Sequence, residues 1–210
     1  LINIISNQLN RTRITGPKKV LLNTLKGLEQ IGVKYVFNQP INEYQYNWIQ
    51  DDQKAMIEAG FVGKPVLVGP NTAVLPEDLP LFRKKISKKS VYIHPGKWSA
   101  DVWRYLGYKE SHLDFWPTGI DMDEFQVSNR VSSSKILLYF KQRDLAFLEE
   151  TKNILENLGL EYILIHYGFY EEQEYKNTLQ ECKFGIWIGC SESQGIGLQE
   201  ALATNFPLIV

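Results

Sequence analysis

Short apolar runs of strand length alternate with longer segments of helical periodicity along the whole chain. The runs predicted as strands lie at 2–6, 35–38, 65–69, 91–94, 136–140, 162–166 and 184–188, and a further strand is predicted to begin at Pro207. The segments predicted as helices lie at 17–32, 48–60, 99–107, 145–158, 171–182 and 197–204. Alternation of this kind predicts an α/β architecture with parallel sheets.

A polar stretch at 129–135, with three serines in a row, interrupts this alternation, which then restarts. We therefore predict two Rossmann-like domains, an N-terminal one at 1–130 and a C-terminal one at 131–210, with a cleft between them. Open α/β sheets bind ligands beyond the carboxyl ends of their strands, so a site is expected there. The chain stops within the apolar run that begins at Pro207, and we interpret the second domain as truncated.

Composition places the chain among ordinary globular proteins, since 44% of its 210 residues are apolar and 22% are charged. The formal net charge of −1 gives no general attraction to nucleic acid. No apolar run approaches the roughly 20 residues of a membrane-spanning helix. We expect a cytoplasmic protein whose two cysteines, Cys182 and Cys190, are reduced and buried. The acidic pair Asp51 and Asp52 is assigned to a helix start, and no metal site is predicted.

The sequence contains one strongly basic run, in which five of the seven residues from Arg83 to Lys89 are basic. A solvated helix is the simplest interpretation of this run. The alternative is peripheral contact with an anionic membrane surface or with a charged acceptor. Nothing in the sequence indicates an oligomeric state.

The segment from Glu192 to Glu200 carries the chemistry that the sequence predicts. A buried strand leads into a turn that holds Glu192, and Gly195, Ile196 and Gly197 then lead into a helix. Glycines let a ligand approach the backbone, and a helix N-terminus offers N–H groups and a partial positive charge to a diphosphate. The two carboxylates can accept hydrogen bonds from sugar and ribose hydroxyls. The alternative is a solvated loop acid followed by a helix-surface acid.

This segment resembles glycosyltransferase family 4 and related enzymes of the GT-B type. Glu192 and Glu200 are separated by seven residues, like the family's two glutamates, and an apolar helix and a proline-led strand follow. The stretch from Trp116 to Phe125 is similar to the family's Pro-x-Gly-x-Asp-x-x-x-Phe linker at each anchor position. The resemblance implies that Glu192 contacts the donor sugar, that Glu200 contacts the nucleotide ribose, and that the glycine loop between them lies at the donor.

Other positions extend the resemblance or depart from it. Gly16 lies in the loop before the first helix, where the family often has glycine, and the resemblance implies a place beside the phosphates of the donor or beside the acceptor. Lys141 and Arg143 follow the first strand of the second domain, where the family places basic residues that offset charge on the leaving diphosphate. The family's Gly-Phe-Gly after the first glutamate is absent here, and His94 is the candidate for its first-domain histidine. The alternatives are ordinary surface charges, a tight turn at Gly16 and a structural His94.

The resemblance implies a glycosyltransferase that moves a sugar from a nucleoside-diphosphate sugar to a hydroxyl of a glycan, lipid or protein acceptor. It implies retention of anomeric configuration without a metal ion or another cofactor, catalysis by Glu192, Lys141 and Arg143, and an acceptor-side N-terminal domain. Two other interpretations stay open, namely a sugar-nucleotide epimerase of the same fold and a non-catalytic binding or scaffold protein. An epimerase would need acid–base residues in the first domain, and the sequence does not show them.

Overall fold

The computed structural model describes residues 1–71, 73, 75, 90–109, 112–126, 133–190 and 192–210. These residues form two compact units, Leu1–Gly119 and Ile120–Val210. The predicted boundary between residues 130 and 131 falls within 127–132, outside the described residues. Each unit contains a parallel sheet with helices packed on both faces, which confirms the predicted α/β class with two Rossmann-like units.

The first unit contains strands β1 to β6 and helices α1 to α3 among its described residues. The strands are β1 (Ile2–Ile5), β2 (Tyr35–Phe37), β3 (Tyr46–Ile49), β4 (Leu67–Val68), β5 (Val91–His94) and β6 (Leu113–Phe115). The helices are α1 (Gly16–Gln30), α2 (Gln53–Val62) and α3 (Lys97–Tyr105). The strands lie in the order β2-β1-β3-β4-β5-β6, and all neighbours pair in parallel.

Successive residues of the central strands point to opposite faces of the first sheet, and each face has its own core. The core on the α1 face contains Ile4, Leu21, Leu28, Trp48 and Ile93. The core on the α2 and α3 face contains Ile5, Ile49, Met56, Tyr92 and Trp103. Both faces of the sheet are covered by helices, so side chains on both faces of its central strands are buried. This explains why those strands appear in the sequence as nearly continuous apolar runs.

The helix predicted at 48–60 is wrong at its start. Trp48 and Ile49 belong to β3, which pairs with β1. Helix α2 begins only at Gln53. Asp52 is its N-cap, and the Asp52 carboxylate accepts hydrogen bonds at 2.9 and 3.1 Å from two N–H groups of the first turn. A short apolar run fits a strand or a helix equally well, so periodicity did not place this boundary, whereas the capping residue does.

The sequence predicts Ser99 as the N-cap of the helix at 99–107, and this assignment is wrong. Helix α3 begins at Lys97 with Gly96 as its N-cap, and Ser99 is buried inside the helix. The Ser99 Oγ lies 2.8 Å from Nδ1 of His94. The hydroxyl therefore contacts a buried histidine of the core and does not cap the helix.

The second unit contains strands β7 to β10 and helices α4 to α6 among its described residues. The strands are β7 (Ile136–Lys141), β8 (Tyr162–His166), β9 (Phe184–Gly189) and β10 (Leu208–Ile209). The helices are α4 (Leu145–Asn157), α5 (Glu172–Glu181) and α6 (Ile196–Ala203). All seven elements agree with the predicted ones to within one or two residues at each end, which is the ordinary uncertainty of such boundaries.

Strand β7 lies inside the second sheet, whose order is β10-β9-β7-β8. Its alternate residues pack with α5 and α6 on one face and with α4 on the other. The parallel register places Lys141, the last residue of β7, opposite Gly189, the last residue of β9. The loops after these two strands therefore start from one edge of the sheet, and that carboxyl edge is where a ligand is expected.

The linker motif seen in the sequence has a structural basis in the second unit. Asp121 Oδ1 accepts hydrogen bonds from the N–H groups of Asp123 at 3.0 Å and Glu124 at 3.4 Å, which fixes a tight turn. Phe125 is 4% exposed and belongs to the core that α5 and α6 cover. Lys176 Nζ on α5 lies 5.2 Å from the centre of its ring. The aspartate thus caps the turn, and the phenylalanine anchors the linker to the second unit.

Membrane association was left open by the sequence. No helix among the described residues is long and apolar enough to cross a membrane. The basic run from Arg83 to Lys89 falls within 76–89, outside the described residues. Peripheral contact through this run therefore stays a prediction, as does a cytoplasmic location.

Candidate functional site

The turn after β9 enters α6 through a glycine in the left-handed conformation. Gly195 has φ 74° and ψ 52°, is the N-cap of α6, and accepts a hydrogen bond from Gln199 N at 2.9 Å. A side chain is disfavoured at this φ, and without one the N-cap cannot satisfy the N–H groups of the first turn. Ile196 has a buried side chain, so only its backbone can contact a ligand. This end of α6 suits an anion.

Lys141 forms an ion pair with Glu192 at the carboxyl edge of the second sheet. Lys141 Nζ lies 2.5 Å from Glu192 Oε2, and the two side chains are 15% and 24% exposed. Glu192 also lies against the start of α6, because a Cβ built on Gly195 would be 3.5 Å from its Cβ and Cγ. The structure therefore brings together Lys141, Glu192 and the N-terminus of α6, which the sequence predicted separately.

Arg143, the second predicted cation, has an exposed side chain. Its Cζ lies 5.1 Å from the centre of the Phe147 ring on α4. Arg143 and Glu192 line the same cavity of about 290 Å³, together with Trp187 and Cys190. Lys141 is thus in direct contact with Glu192, and Arg143 lines the same cavity as Glu192.

Glu200 lies on α6 but is buried in the second unit, with an exposed fraction of only 2%. Its charge contributes to raising the pKa of the Tyr175 phenol well above the usual value, although burial of the phenol is the larger cause. The Tyr175 hydroxyl donates a hydrogen bond to the carbonyl oxygen of Gly197 at 2.5 Å. The interpretation of Glu200 as a solvated acid on the helix surface is therefore wrong.

A stacked aromatic pair lies against the first turn of α6, and the sequence analysis missed it. The ring centres of Tyr139 and Trp187 are 3.7 Å apart, with an angle of 10° between the planes. A Cβ built on Gly197 would be 3.6 Å from the Tyr139 hydroxyl oxygen and 3.7 Å from the Trp187 indole. Burial, and after it the neighbouring Tyr170, raises the pKa of Tyr139, so its hydroxyl stays neutral. The two-residue period along β7 and β9 would have placed both rings on one face.

Gly16 is the first residue of α1 in the first unit. The Thr15 side chain caps this helix by accepting a hydrogen bond from Lys18 N at 3.4 Å. The Lys18 ammonium donates to the backbone oxygen of Arg11. Gly16 belongs to the first unit, whereas Glu192 belongs to the second. The predicted place of Gly16 at the donor stays a prediction.

His94 is a core residue of the first unit. It is fully buried, and its ring centre lies 4.6 Å from that of Tyr92 and 5.0 Å from that of Trp103. Its Nδ1 lies 2.8 Å from Ser99 Oγ, and among the described residues Nε2 has no hydrogen-bond partner. Burial, with the charge of Arg104 as a smaller cause, lowers the pKa of His94 to about 4. These surroundings favour the structural interpretation over a role at the donor sugar.

Acidification is expected to destabilise the protein through His94. The pKa of this imidazole falls from the ordinary 6.5 to about 4 on folding. Between those values the unfolded chain binds a proton that the folded chain excludes, so stability present above pH 6.5 is lost as the pH falls, by at most about 3 kcal/mol. Urea unfolding from neutral to acidic pH, on the wild type and on His94→Gln, measures this loss. Parallel profiles for the two proteins would contradict the expectation.

The two cysteines have different surroundings. Cys182 is buried, and burial raises its pKa to about 11. Cys190 is exposed and directly follows β9. It lines the same cavity as Arg143 and Glu192. The prediction that both cysteines are buried is therefore wrong for Cys190.

The acidic pair Asp51 and Asp52 lies just before α2, as predicted. Asp52 caps the helix, and Asp51 Oδ1 accepts a hydrogen bond from Asn7 N at 2.8 Å. Within the part of the chain that the structure describes, no group of three or more His, Cys, Asp and Glu side chains could hold a metal ion. Independence from metal stays a prediction.

Comparison with known proteins gives matches among solved structures. No protein-family model and no curated protein matches the chain. The Anabaena protein Alr3699/HepE, solved in complex with UDP and glucose, is similar with a TM-score of 0.64 and 12% identity, over 99% of this chain and 79% of that chain. The same protein in complex with UDP-glucose gives 0.60 and 11% over the same shares. This likeness shows that the chain has a GT-B-like fold with Rossmann-type parallel sheets.

Proposed function

We propose that the chain binds a nucleoside-diphosphate sugar in its second unit and transfers the sugar to an acceptor hydroxyl. The observation that carries this proposal is the partly buried pair of Lys141 and Glu192 beside the N-terminus of α6. A cation and helix N–H groups suit a diphosphate, and a carboxylate suits sugar hydroxyls, so their juxtaposition suits a ligand that contains both. The fold shared with a protein solved with UDP-glucose supports the choice of ligand class.

Each site residue of the second unit has a role in this proposal. Lys141 and the N–H groups at the start of α6 hold the diphosphate, and Arg143 offsets the charge that builds on it as the sugar departs. Glu192 accepts hydrogen bonds from hydroxyls of the donor sugar. Glu200 is assigned the ribose hydroxyls on the family resemblance alone, and its side chain, which is 2% exposed, has to become accessible before it can accept hydrogen bonds from them.

The proposed reaction retains the anomeric configuration and uses no metal ion. The bond between the anomeric carbon and the diphosphate oxygen breaks, and the acceptor oxygen forms its bond to that carbon on the same face. The departing phosphate oxygen takes the proton of the acceptor hydroxyl. The protein contributes orientation and charge stabilisation, and the first unit is assigned the acceptor, which is a glycan, a lipid or a protein hydroxyl.

UDP-glucose is the first donor to test, because the similar structures were solved with UDP and with UDP-glucose. We expect calorimetric titration to give a dissociation constant between about 1 μM and 1 mM, the usual range for enzyme substrates, with UDP as a competitor. UDP release is expected only when an acceptor is present. An epimerase would interconvert the free sugar nucleotide, and a binding protein would leave it unchanged. Absence of binding to any UDP-, ADP- or GDP-sugar would contradict the proposal.

A further inference from the structure

A tyrosine ring covers one side of the Lys141 ammonium. Lys141 Nζ lies 4.6 Å from the centre of the Tyr167 ring, within the range of an attractive cation–π contact. Tyr167 follows β8, and its N–H donates to the carbonyl oxygen of Phe140 at 2.9 Å. Phe140 directly precedes Lys141 in β7, so this hydrogen bond ties the ring to the strand that carries the lysine.

The surroundings of Lys141 leave little freedom to its ammonium group. The Tyr167 ring lies on one side, the carboxylate of Glu192 lies at 2.5 Å on another, and the lysine side chain is only 15% exposed. Tyr167 is itself partly buried against the core formed with α5 and α6. A long lysine side chain has many rotamers, and holding it in one of them removes that cost from ligand binding.

We propose that Tyr167 is a positioning residue, whose ring holds the Lys141 ammonium at the carboxyl edge of the sheet in readiness for a phosphate. The inference rests on the proposed function for the identity of the ligand, but the coupling between the ring and the ammonium exists without ligand. The ring acts through its face, because its hydroxyl has no hydrogen-bond partner among the described residues. Phenylalanine at this position therefore keeps the effect, and leucine removes it.

A double-mutant cycle on unfolding tests the coupling without any ligand. Tyr167→Leu and Lys141→Met are made singly and together, and urea unfolding gives the equilibrium constant of each protein. The Tyr167→Leu change is expected to raise the unfolding constant about fivefold more in the wild type than in the Lys141→Met background. The exposed pair of Arg143 and Phe147 is the matched control and is expected to couple less. Equal effects of Tyr167→Leu in both backgrounds would overturn the proposal.

Binding of UDP-glucose tests the positioning itself. Tyr167→Leu is expected to weaken binding about fivefold to tenfold, Tyr167→Phe to keep nearly wild-type affinity, and Tyr167→Leu to have no further effect once Lys141 is methionine. Loss of affinity in Tyr167→Phe as large as in Tyr167→Leu would overturn the proposal, and so would a loss that persists without Lys141. If the wild type binds no nucleotide sugar, the proposed function fails, and the unfolding cycle still decides whether Tyr167 holds Lys141.

Discussion

Replacement of Lys141 by methionine is expected to lower sugar transfer by about 10²- to 10³-fold, as removal of one preorganised charge-stabilising group typically does. The ammonium is partly buried, paired with Glu192 and covered by Tyr167, so it is held in place before the reaction begins. Methionine keeps most of the side-chain volume while removing the charge. Part of the loss should appear as weaker donor binding, because Lys141 holds the diphosphate of the bound donor, and the larger part in kcat, because the diphosphate carries more negative charge as the sugar departs.

Glu192→Gln gives the complementary test, since it keeps the shape of the side chain and removes its charge. We expect a loss in kcat/KM of similar size, because the donor hydroxyls lose a charged acceptor. The control is Lys152→Met, which breaks the exposed pair of Lys152 with Glu149 on α4, at 2.8 Å, and is expected to leave transfer unchanged. Steady-state rates of UDP release by the wild type, Lys141→Met, Glu192→Gln and Lys152→Met measure these effects. Lys141→Met activity within threefold of the control would contradict the role assigned to Lys141.

Gly69→Ala is expected to destabilise the protein strongly, with a loss of about 4 kcal/mol or more. Gly69 has φ +100°, and a Cβ built there would overlap the backbone carbonyl oxygen of Ile93 on the neighbouring strand. The backbone cannot easily move away. Gly69 N donates to the Ile49 oxygen at 2.8 Å, and Gly69 O accepts from Trp48 Nε1 at 2.8 Å.

Gly63→Ala is the matched control for this prediction. Gly63 also has a positive φ, +66°, but a Cβ there would meet nothing within 4 Å. The control therefore carries the conformational cost alone, which is about 1 to 2 kcal/mol. Urea unfolding of both variants separates the two contributions. Equal losses of stability at the two positions would show that the overlap with Ile93 does not determine the effect.

The second unit could be predicted from sequence almost element by element, whereas the first could not. In the second unit turn residues such as Gly159 separate the apolar runs, and Gly195 marks the start of α6, so period and boundary agree. In the first unit only three residues, Gln50 to Asp52, separate β3 from α2, and the apolar part of β3 before them is as short as Trp48 and Ile49. The capping residue Asp52 is the local signal that separates the two elements.

The candidate site, too, could be predicted from the sequence only in part. Position after a buried strand is enough to select Glu192 and the glycines at the start of α6, whereas Lys141 is selected by the resemblance to the family's basic residues at a strand end. The pairing of Lys141 with Glu192 joins residues 51 positions apart, and no local pattern encodes such a contact. The Tyr167 ring and the burial of Glu200 likewise depend on how α5, α6 and the sheet pack together. Side-chain contacts of this kind follow from tertiary packing and not from periodicity.

The proposed function requires that a nucleoside diphosphate docks at the N-terminus of α6 beside Lys141 and Glu192. Titration of the ¹⁵N-labelled chain with UDP-glucose, followed by amide chemical shifts, tests this most directly. We expect the largest shifts on the N–H groups of Ile196 and Gly197, and we expect Lys141→Met to raise the UDP-glucose concentration that is needed to produce them. Binding of UDP-glucose that leaves these amides unchanged, with the shifts concentrated elsewhere in the chain, would contradict it.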